Sequence, residues 1–405
     1  MIIQWFQPEP TLKGLPLAKE FVKLGHDVEI LTGSPNYPGG KVYKGYRIRP
    51  LQRESIEGIP IIRVPLYPSH DRSGFRRFLN YASYALSASL IGPCVVRKAD
   101  VAYVYHPPAT VGLPAMAMKL LRGIPFAYDI QDLWPDSLSA TEMFKSKTGF
   151  RLLHKWCRTV YKRASKIIVL SPGFKHILVE RGVPEEKINV IYNWADDTVI
   201  KPVPKDRELA RELGLEGKFN FMFAGNMGLA QALDTVLNAA DLIQKDSPNA
   251  QIVFVGDGLE ADKLKKTART MNLANVRFIP RQPLSIINKF MALADVCLVH
   301  LKNDPLFKIT IPSKIQSYLA MGRPILVALD GDAAELVLKA NAGFACSPEN
   351  PVALADTMRK FLRISEAELL QMGKNGREYY EKELSLEIGA ERIAQTLASV
   401  IKNRS

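Results

Sequence analysis

Cysteine is scarce. The four present, Cys94, Cys157, Cys297 and Cys346, stand in apolar stretches without CxxC spacing. That argues against a disulfide framework or a zinc cluster and reads as buried thiols of a reducing compartment. Long hydrophobic runs are missing too, and none could span a bilayer. Met1-Ile-Ile-Gln-Trp-Phe6 has no basic leader and no cleavage site, so a strand is expected there rather than a secretory signal. Low-complexity tracts are absent and nearly half of the residues are apolar, so the chain is globular; its 405 residues suffice for two domains. The fingerprint G-x-G-x-x-G does not follow the first strand, which argues against an NAD-dependent oxidoreductase. No Asp-x-Asp triplet is placed to hold a metal, and no recognised nucleic-acid motif occurs.

Acidic residues are in short supply in one half only. Residues 1–195 carry 27 Lys and Arg against 15 Asp and Glu, net +12, whereas the remaining 210 carry 27 against 26. Nearly all of the net +13 therefore asks for an anionic partner of the first half: nucleic acid, an anionic membrane or a phosphorylated substrate. Two stretches concentrate it. Arg72–Lys98 is apolar and aromatic (Phe75, Phe78, Leu79, Tyr81, Tyr84, Leu86, Leu90), with Arg72, Arg76, Arg77, Arg97 and Lys98 at its ends. Lys145–Lys166 sets Arg151, Lys155, Arg158 and Lys162 on one helical face. Basic amphipathic helices of this kind lie on anionic membranes; a core helix with a solvated basic face is the bland alternative. The aromatics sit on apolar faces rather than among the arginines, which disfavours nucleic acid.

Apolar strands alternate with helix-length amphipathic stretches throughout, the pattern of α/β architecture with parallel sheets. Strands are expected at Ile2–Phe6, Val28–Thr32, Ile61–Val64, Val101–Tyr105, Phe126–Ile130, Ile167–Leu170 and Asn189–Tyr192. A second series runs Phe219–Ala224, Gln251–Val255, Val276–Ile279, Val296–Val299 and Ile325–Ala328. Between the series, Ala195–Asp206 carries Pro202 and Pro204 and lacks apolar periodicity, and reads as a linker. Two doubly wound domains bind ligands at the carboxyl ends of their strands.

The most informative stretch is Asn303–Pro324. It follows one strand and precedes another; Thr310 is a candidate N-cap, Pro312 suits the first turn, and Gly322 with Pro324 stops the helix. A helix start at a sheet edge, with Lys314 beside it, suits a phosphate or diphosphate, although any α/β protein contains such units. Gly225-Asn226-Met227-Gly228 forms a second glycine turn between strand and helix. Gly14 opens the first helix, either for close approach of a ligand or as a plain loop glycine. His106 follows a strand and is expected at the ligand edge, or as a packing residue. Asp132, in Asp-Ile-Gln-Asp-Leu-Trp-Pro, and Glu142 are carboxylates able to polarise a hydroxyl; capping the next turn is the other reading of Asp132.

The run Pro-Ser-Lys…Tyr-Leu-Ala-x-Gly-Arg-Pro resembles the donor-binding helix of retaining GT-B glycosyltransferases of family 4, in the bacterial surface-polysaccharide branch that includes N-acetyl-L-fucosamine transferases. Gly25-His26-Asp27, Pro35-Asn-Tyr-Pro-Gly39, Asp132-Leu-Trp-Pro135, the strand ends at Ser171 and Asn193, and the Gly225 turn extend the resemblance over nearly the whole chain. It implies two Rossmann-like domains with a cleft between them: 1–195 for the acceptor and 196–385 for a nucleotide sugar. The last helix, about 386–405, would cross back to the first domain. It implies Gly14, Gly225, Asn226, Met227, Gly228, Thr310, Ile311, Ser313 and Lys314 around the diphosphate. Asp257, Pro280, Arg281 and Ser317 would meet the nucleoside, and Asp132, Gln131 and His106 the reacting centre.

The chain also departs from the family. Gln131-Asp132 stands where many relatives have His-Asp, and Asn226 and Gln231 where Arg and Lys are common. The two glutamates eight positions apart fall on Ile309 and Ser317; Asp330 and Glu335 are the carboxylates that could serve the sugar instead. The resemblance then implies a metal-independent, cofactor-free transfer of a sugar, such as an N-acetylated amino sugar, from a UDP-sugar. The acceptor would be a polyprenyl-diphosphate-linked sugar at the inner face of the cell membrane, with no role for nucleic acid. A nucleotide-sugar epimerase of the same architecture and a non-catalytic nucleotide-sugar-binding partner stay open.

Overall fold

The computed structural model describes residues 1–70, 74–136 and 147–402. Arg72, Glu142 and Lys145 lie outside the described residues. The chain forms two compact units, Met1–Ile191 joined by residues from Gly389 onward, and Tyr192–Ile388.

The strands of the first unit are β1 (Ile30–Gly33), β2 (Gln52–Ile56), β3 (Ile59–Val64), β4 (Ala102–His106), β5 (Phe126–Ile130), β6 (Lys166–Val169) and β7 (Ile188–Val190). They pair as β2-β3-β1 and as β4-β5-β6-β7, parallel except for the β2–β3 hairpin. The opening residues join the two sets. Ile2 bridges Leu31 on one side and Val104 on the other, and its N–H donates to the Tyr103 carbonyl at 2.8 Å. The strand expected over Ile2–Phe6 is thus a short bridged segment. Counted from it, the sheet order changes direction between this segment and β4, and a ligand crevice belongs there.

The helix Gly74–Val95 breaks the usual pattern. It buries Asn80, Tyr84, Ala85, Ala88 and Gly92 and leaves Phe75, Phe78, Leu86 and Leu90 exposed. Its large apolar side chains therefore point to solvent while small and polar ones face the core. Helix Lys147–Arg163 does the opposite: Cys157, Val160 and Tyr161 are buried, and Arg151, Lys155, Arg158 and Lys162 are exposed. Cys94 corrects the expectation of buried thiols, for it is exposed, while Cys157 and Cys297 are buried.

The second unit holds β8 (Phe219–Ala224), β9 (Ala250–Val255), β10 (Val276–Ile279), β11 (Val296–His300), β12 (Ile325–Ala328) and β13 (Gly343–Cys346). The order is β10-β9-β8-β11-β12-β13 and every pairing is parallel. Both faces are covered, so the strands read as continuous apolar runs. Phe221 and Phe223 pack into one core and Met222 and Ala224 into the other. The order reverses between β8 and β11. These two strands pair only through Val296–Phe221 and Cys297–Met222, then part toward their carboxyl ends. The last helix, expected at about 386–405, is Leu386–Lys402, preceded by the helix Glu366–Glu383, and the Ser385 hydroxyl accepts from the Ile388 N–H at 3.3 Å at its start. In the linker, Tyr380 fixes the chain by donating to Asp197 at 2.6 Å.

Candidate functional site

In the second unit two glycine turns, one after β8 and one after β9, stack on one another beside the point where β8 and β11 part. Gly225 has φ 142° and Gly256 φ 145°, a region open to glycine. A Cβ on Gly256 would lie 2.0 Å from the Gly225 carbonyl oxygen, and one on Gly258 2.4 Å from that of Met227. The turns are tied by Gly225 N–H to Val255 O at 2.8 Å and Met227 N–H to Asp257 O at 2.8 Å. Helix Ser313–Ala320 arrives from the other side of the reversal, fastened by Tyr318, whose hydroxyl accepts from the Ala224 N–H at 2.9 Å.

Lys314 lies across this junction. A Cβ on Gly225 would meet its Cε at 2.7 Å and its Nζ at 2.9 Å, so the end of the lysine occupies the space that a side chain here would take. Nζ sits 4.7 Å from the centre of the Phe223 ring, a cation–π contact that offsets part of its desolvation. Burial still lowers its pKa to about 8. The local structure thus holds an ammonium, the Ser313 helix start and a bend of glycine amides together, a set that favours a diphosphate.

The surrounding residues sort themselves. Gly228 N–H donates to the Gln231 side chain at 2.9 Å; Asn226 is exposed. Met227 and Ile311 are core side chains, so only their main chain can face a ligand. Thr310 corrects the expected cap: its hydroxyl donates to Leu306 O at 2.7 Å in the short helix Pro305–Lys308, and Pro312 is the N-cap of Ser313–Ala320. Ser317 donates back to Ser313 O at 3.1 Å. Asp257 accepts from the Gly258 N–H within its own turn, and Pro280 and Arg281 are exposed after β10. Lys308 Nζ stands 3.5 Å from Asp330; Glu335 is exposed. His300, which sequence reasoning passed over, ends β11 buried. Its Nδ1 lies 2.7 Å from Gln231 O and its Nε2 accepts from the Glu349 N–H at 3.2 Å, so a neutral imidazole braces the Gly228–Gln231 turn.

In the first unit, Lys13 and Asp129 form an ion pair of 2.7 Å with both side chains fully buried. Asp129 also accepts from Tyr103 at 2.5 Å and from the Gln131 amide. Glu9 accepts from the N–H groups of Phe6, Asn36 and Tyr37, and burial raises its pKa to about 7. Gly14 precedes helix Leu15–Lys23; a Cβ there would meet Thr11 at 2.3 Å and Gln7 at 2.8 Å, so its smallness serves the loop's own packing.

His106 ends β4 and follows the packing alternative. It is buried against Tyr128 and Trp134, burial lowers its pKa to about 3, and Nδ1 has no hydrogen-bond partner. Asp132 is accessible, yet partial loss of water raises its carboxyl's pKa. Ser171 caps helix Pro172–Glu180 by accepting from the Phe174 N–H.

Residues 15–194 match the glycosyl transferase 4-like domain, and residues 205–379 match glycosyl transferases group 1. The chain is 28% identical over 302 residues to a probable glycosyltransferase, WbjE, of Pseudomonas aeruginosa, and 27% identical over 316 residues to a putative colanic acid biosynthesis glycosyl transferase, WcaI, of Escherichia coli K12. Each match covers 74% of both chains. Among solved structures, Anabaena HepE in complex with UDP-glucose superposes with a TM-score of 0.68 at 19% identity, over 98% of this chain and 100% of that one. A trehalose 6-phosphate synthase from Burkholderia multivorans gives a TM-score of 0.72 at 12% identity, over 100% and 99%. The chain is a glycosyltransferase of the GT-B fold, built from a glycosyl transferase 4-like domain followed by a group 1 domain.

Proposed function

We propose that the enzyme moves a sugar from a UDP-sugar to a polyprenyl-diphosphate-linked sugar acceptor during surface-polysaccharide assembly, retaining the anomeric configuration and needing no metal. The observation that carries this reading is Lys314 lying over Gly225 at a helix start. As the bond between the sugar and the nucleotide breaks, negative charge collects on the diphosphate. A fixed ammonium and aligned amide dipoles stabilise that charge more than the ground state. Asp132 is the carboxylate suited to polarise the acceptor hydroxyl, and Gln131, tied to Asp129, orients the loop. A relative named as a putative colanic acid biosynthesis glycosyl transferase supports the pathway, and fold neighbours holding UDP, or UDP-glucose, support the donor. The N-acetylated amino sugar rests on the sequence resemblance.

The test is a melting series with UDP and UDP-sugars, followed by transfer to a short-chain polyprenyl-diphosphate sugar in EDTA. A ligand binding only the folded state raises the melting temperature, and transfer is expected to survive chelation. No shift with any UDP compound would sink the donor assignment. Conversion of the donor without acceptor would point to an epimerase, and binding without turnover to a non-catalytic partner.

Membrane docking at the inner face is part of the same reading. Phe75 and Leu90 on helix Gly74–Val95 are 70% and 75% exposed, and Leu120 on the neighbouring helix Gly112–Arg122 is 84% exposed. Exposed apolar faces of this kind mark interaction surfaces. Arg76, Lys98 and the exposed basic face of Lys147–Arg163 match anionic lipid. In flotation with vesicles rich in anionic lipid, Arg76→Glu, Arg151→Glu and Lys155→Glu together are expected to weaken binding roughly 100-fold, from about 1 kcal/mol per basic residue. UDP affinity is expected to stay unchanged. Equal flotation of wild type and triple variant would defeat the docking surface.

A further inference from the structure

Four aromatic rings from distant parts of the chain meet at the carboxyl edge of the first unit's sheet. Trp5 stacks on Tyr37 with centroids 4.6 Å apart and planes 24° apart. Tyr81 contacts Trp5 at 6.1 Å and Trp134 at 6.3 Å. Trp5 ends the opening segment, Tyr37 follows β1, Trp134 follows β5, and Tyr81 comes from helix Gly74–Val95. Trp5, Tyr37 and Tyr81 stay half-buried, so they are packed together without being covered. The Tyr37 loop is held in place from beneath by Glu9.

Arg77 stands one helical turn before Tyr81, and its charge acts on that phenol. Its Nε is buried with no hydrogen-bond partner, and no ion pair to it occurs among the described residues. A buried guanidinium nitrogen left unpaired is costly and calls for a partner. Its charge also reaches His70, whose pKa is lowered first by burial and then by Arg77. Asp132 acts on Tyr81 as well, so a carboxylate and a guanidinium both stand within range of one phenol.

We propose that Trp5, Tyr37 and Tyr81, backed by the buried Trp134, form the acceptor subsite with Arg77, taking a pyranose ring against the three half-open aromatic faces and the phosphate on its anomeric carbon at the guanidinium. Half-open aromatic faces match the C–H faces of a sugar, and a guanidinium forks onto phosphate oxygens. Asp132 then lies where an acceptor hydroxyl arrives. The inference rests on the transferase reading above and gives its acceptor a recognition chemistry.

The experiment measures binding with the second unit's diphosphate site saturated by UDP, using three probes: a short-chain prenyl-diphosphate N-acetylhexosamine, the methyl glycoside of that sugar, and inorganic pyrophosphate. Arg77→Gln is expected to weaken the first and third roughly 10- to 100-fold, the range for a lost charge-assisted bond, and to leave the glycoside unchanged. Trp5→Ala is expected to do the converse for the glycoside and pyrophosphate. Arg77→Lys should restore part of the loss, and a urea titration followed by circular dichroism reports that the first unit of each variant, which holds Trp5 and Arg77, is folded. In turnover, KM for the acceptor rises while KM for the donor holds. Wild-type affinity of Arg77→Gln for the glycosyl diphosphate overturns the subsite, as does a pyrophosphate affinity that neither variant alters. If wild type binds the probes as described but transfers no sugar from any UDP donor, the transferase reading fails and the subsite stands.

Discussion

Asp129→Asn is expected to destabilise the first unit by about 3–5 kcal/mol, the range for removing one charge of a buried ion pair. The Lys13 ammonium is fully buried, 2.7 Å from that carboxylate, and an amide in its place returns no charge. In Lys13→Met the Asp129 carboxylate keeps the Tyr103 hydroxyl and the Gln131 amide as donors. The double variant should cost less than the sum of the two, since it removes both charges from the apolar interior. Tryptophan fluorescence in urea reads this well: Trp5, Trp134 and Trp156 belong to the first unit, and only Trp194 to the second. A cost below about 1 kcal/mol for Asp129→Asn would mean that water reaches the pair and the burial is not maintained in solution.

That pair also shows where the sequence stops being readable. Asp129 stands visibly inside an apolar strand, but its partner is 116 residues away, and nothing local to Lys13 announces it. Glu9 is hidden in the same way: it lies in a polar loop, and only the fold brings Asn36 and Tyr37 onto it. The aromatic cluster is assembled from four separate segments, so no window of sequence contains it. Long-range polar and aromatic contacts of this kind follow from topology rather than from propensity.

The sheet of the second unit was legible for a physical reason. A parallel strand covered on both faces reads as an unbroken apolar run, as Phe219–Ala224 and Val296–His300 do. Gln52–Ile56 escaped because it is an edge strand alternating half-buried and exposed residues, with Arg53 and Ser55 among them. Gly343–Cys346 escaped because four small or aromatic residues after a helix carry no period. One signal was there to be used. Arg76 and Arg77 are neighbours on a helix, so they point about 100° apart, and both could not serve one basic face. Arg76 is exposed, whereas Arg77 is half-buried with its Nε out of solvent. Thr310 misled because a Thr before a Pro-Ser helix start is a normal cap, whereas the four-residue helix Pro305–Lys308 claimed its hydroxyl.

Lys314→Ala is expected to weaken UDP binding by about 1–3 kcal/mol, the loss of a charge-assisted contact to a diphosphate. Calorimetry at pH 7 measures it, and an unchanged affinity would remove Lys314 from the site. The pH dependence gives a sharper check. Burial lowers this ammonium's pKa to about 8, from 10.5 in the unfolded chain, and the diphosphate requires the protonated form. UDP affinity of the wild type should therefore be level near pH 7 and fall as pH rises through about 8, while Lys314→Ala stays flat. Stability of the unliganded enzyme runs the opposite way. The unfolded chain holds the proton more tightly, so the cost of burying the ammonium is fully present below pH 8 and is relieved as pH climbs toward 10.5. Lys314→Met, which keeps the apolar stem and discards the charge, should then melt at a higher temperature than wild type at pH 7 while binding UDP less well. A residue kept only for packing would lower the melting temperature when replaced and leave the affinity profile untouched. Opposed signs in the two measurements would mark Lys314 as a group whose burial costs stability and serves the donor.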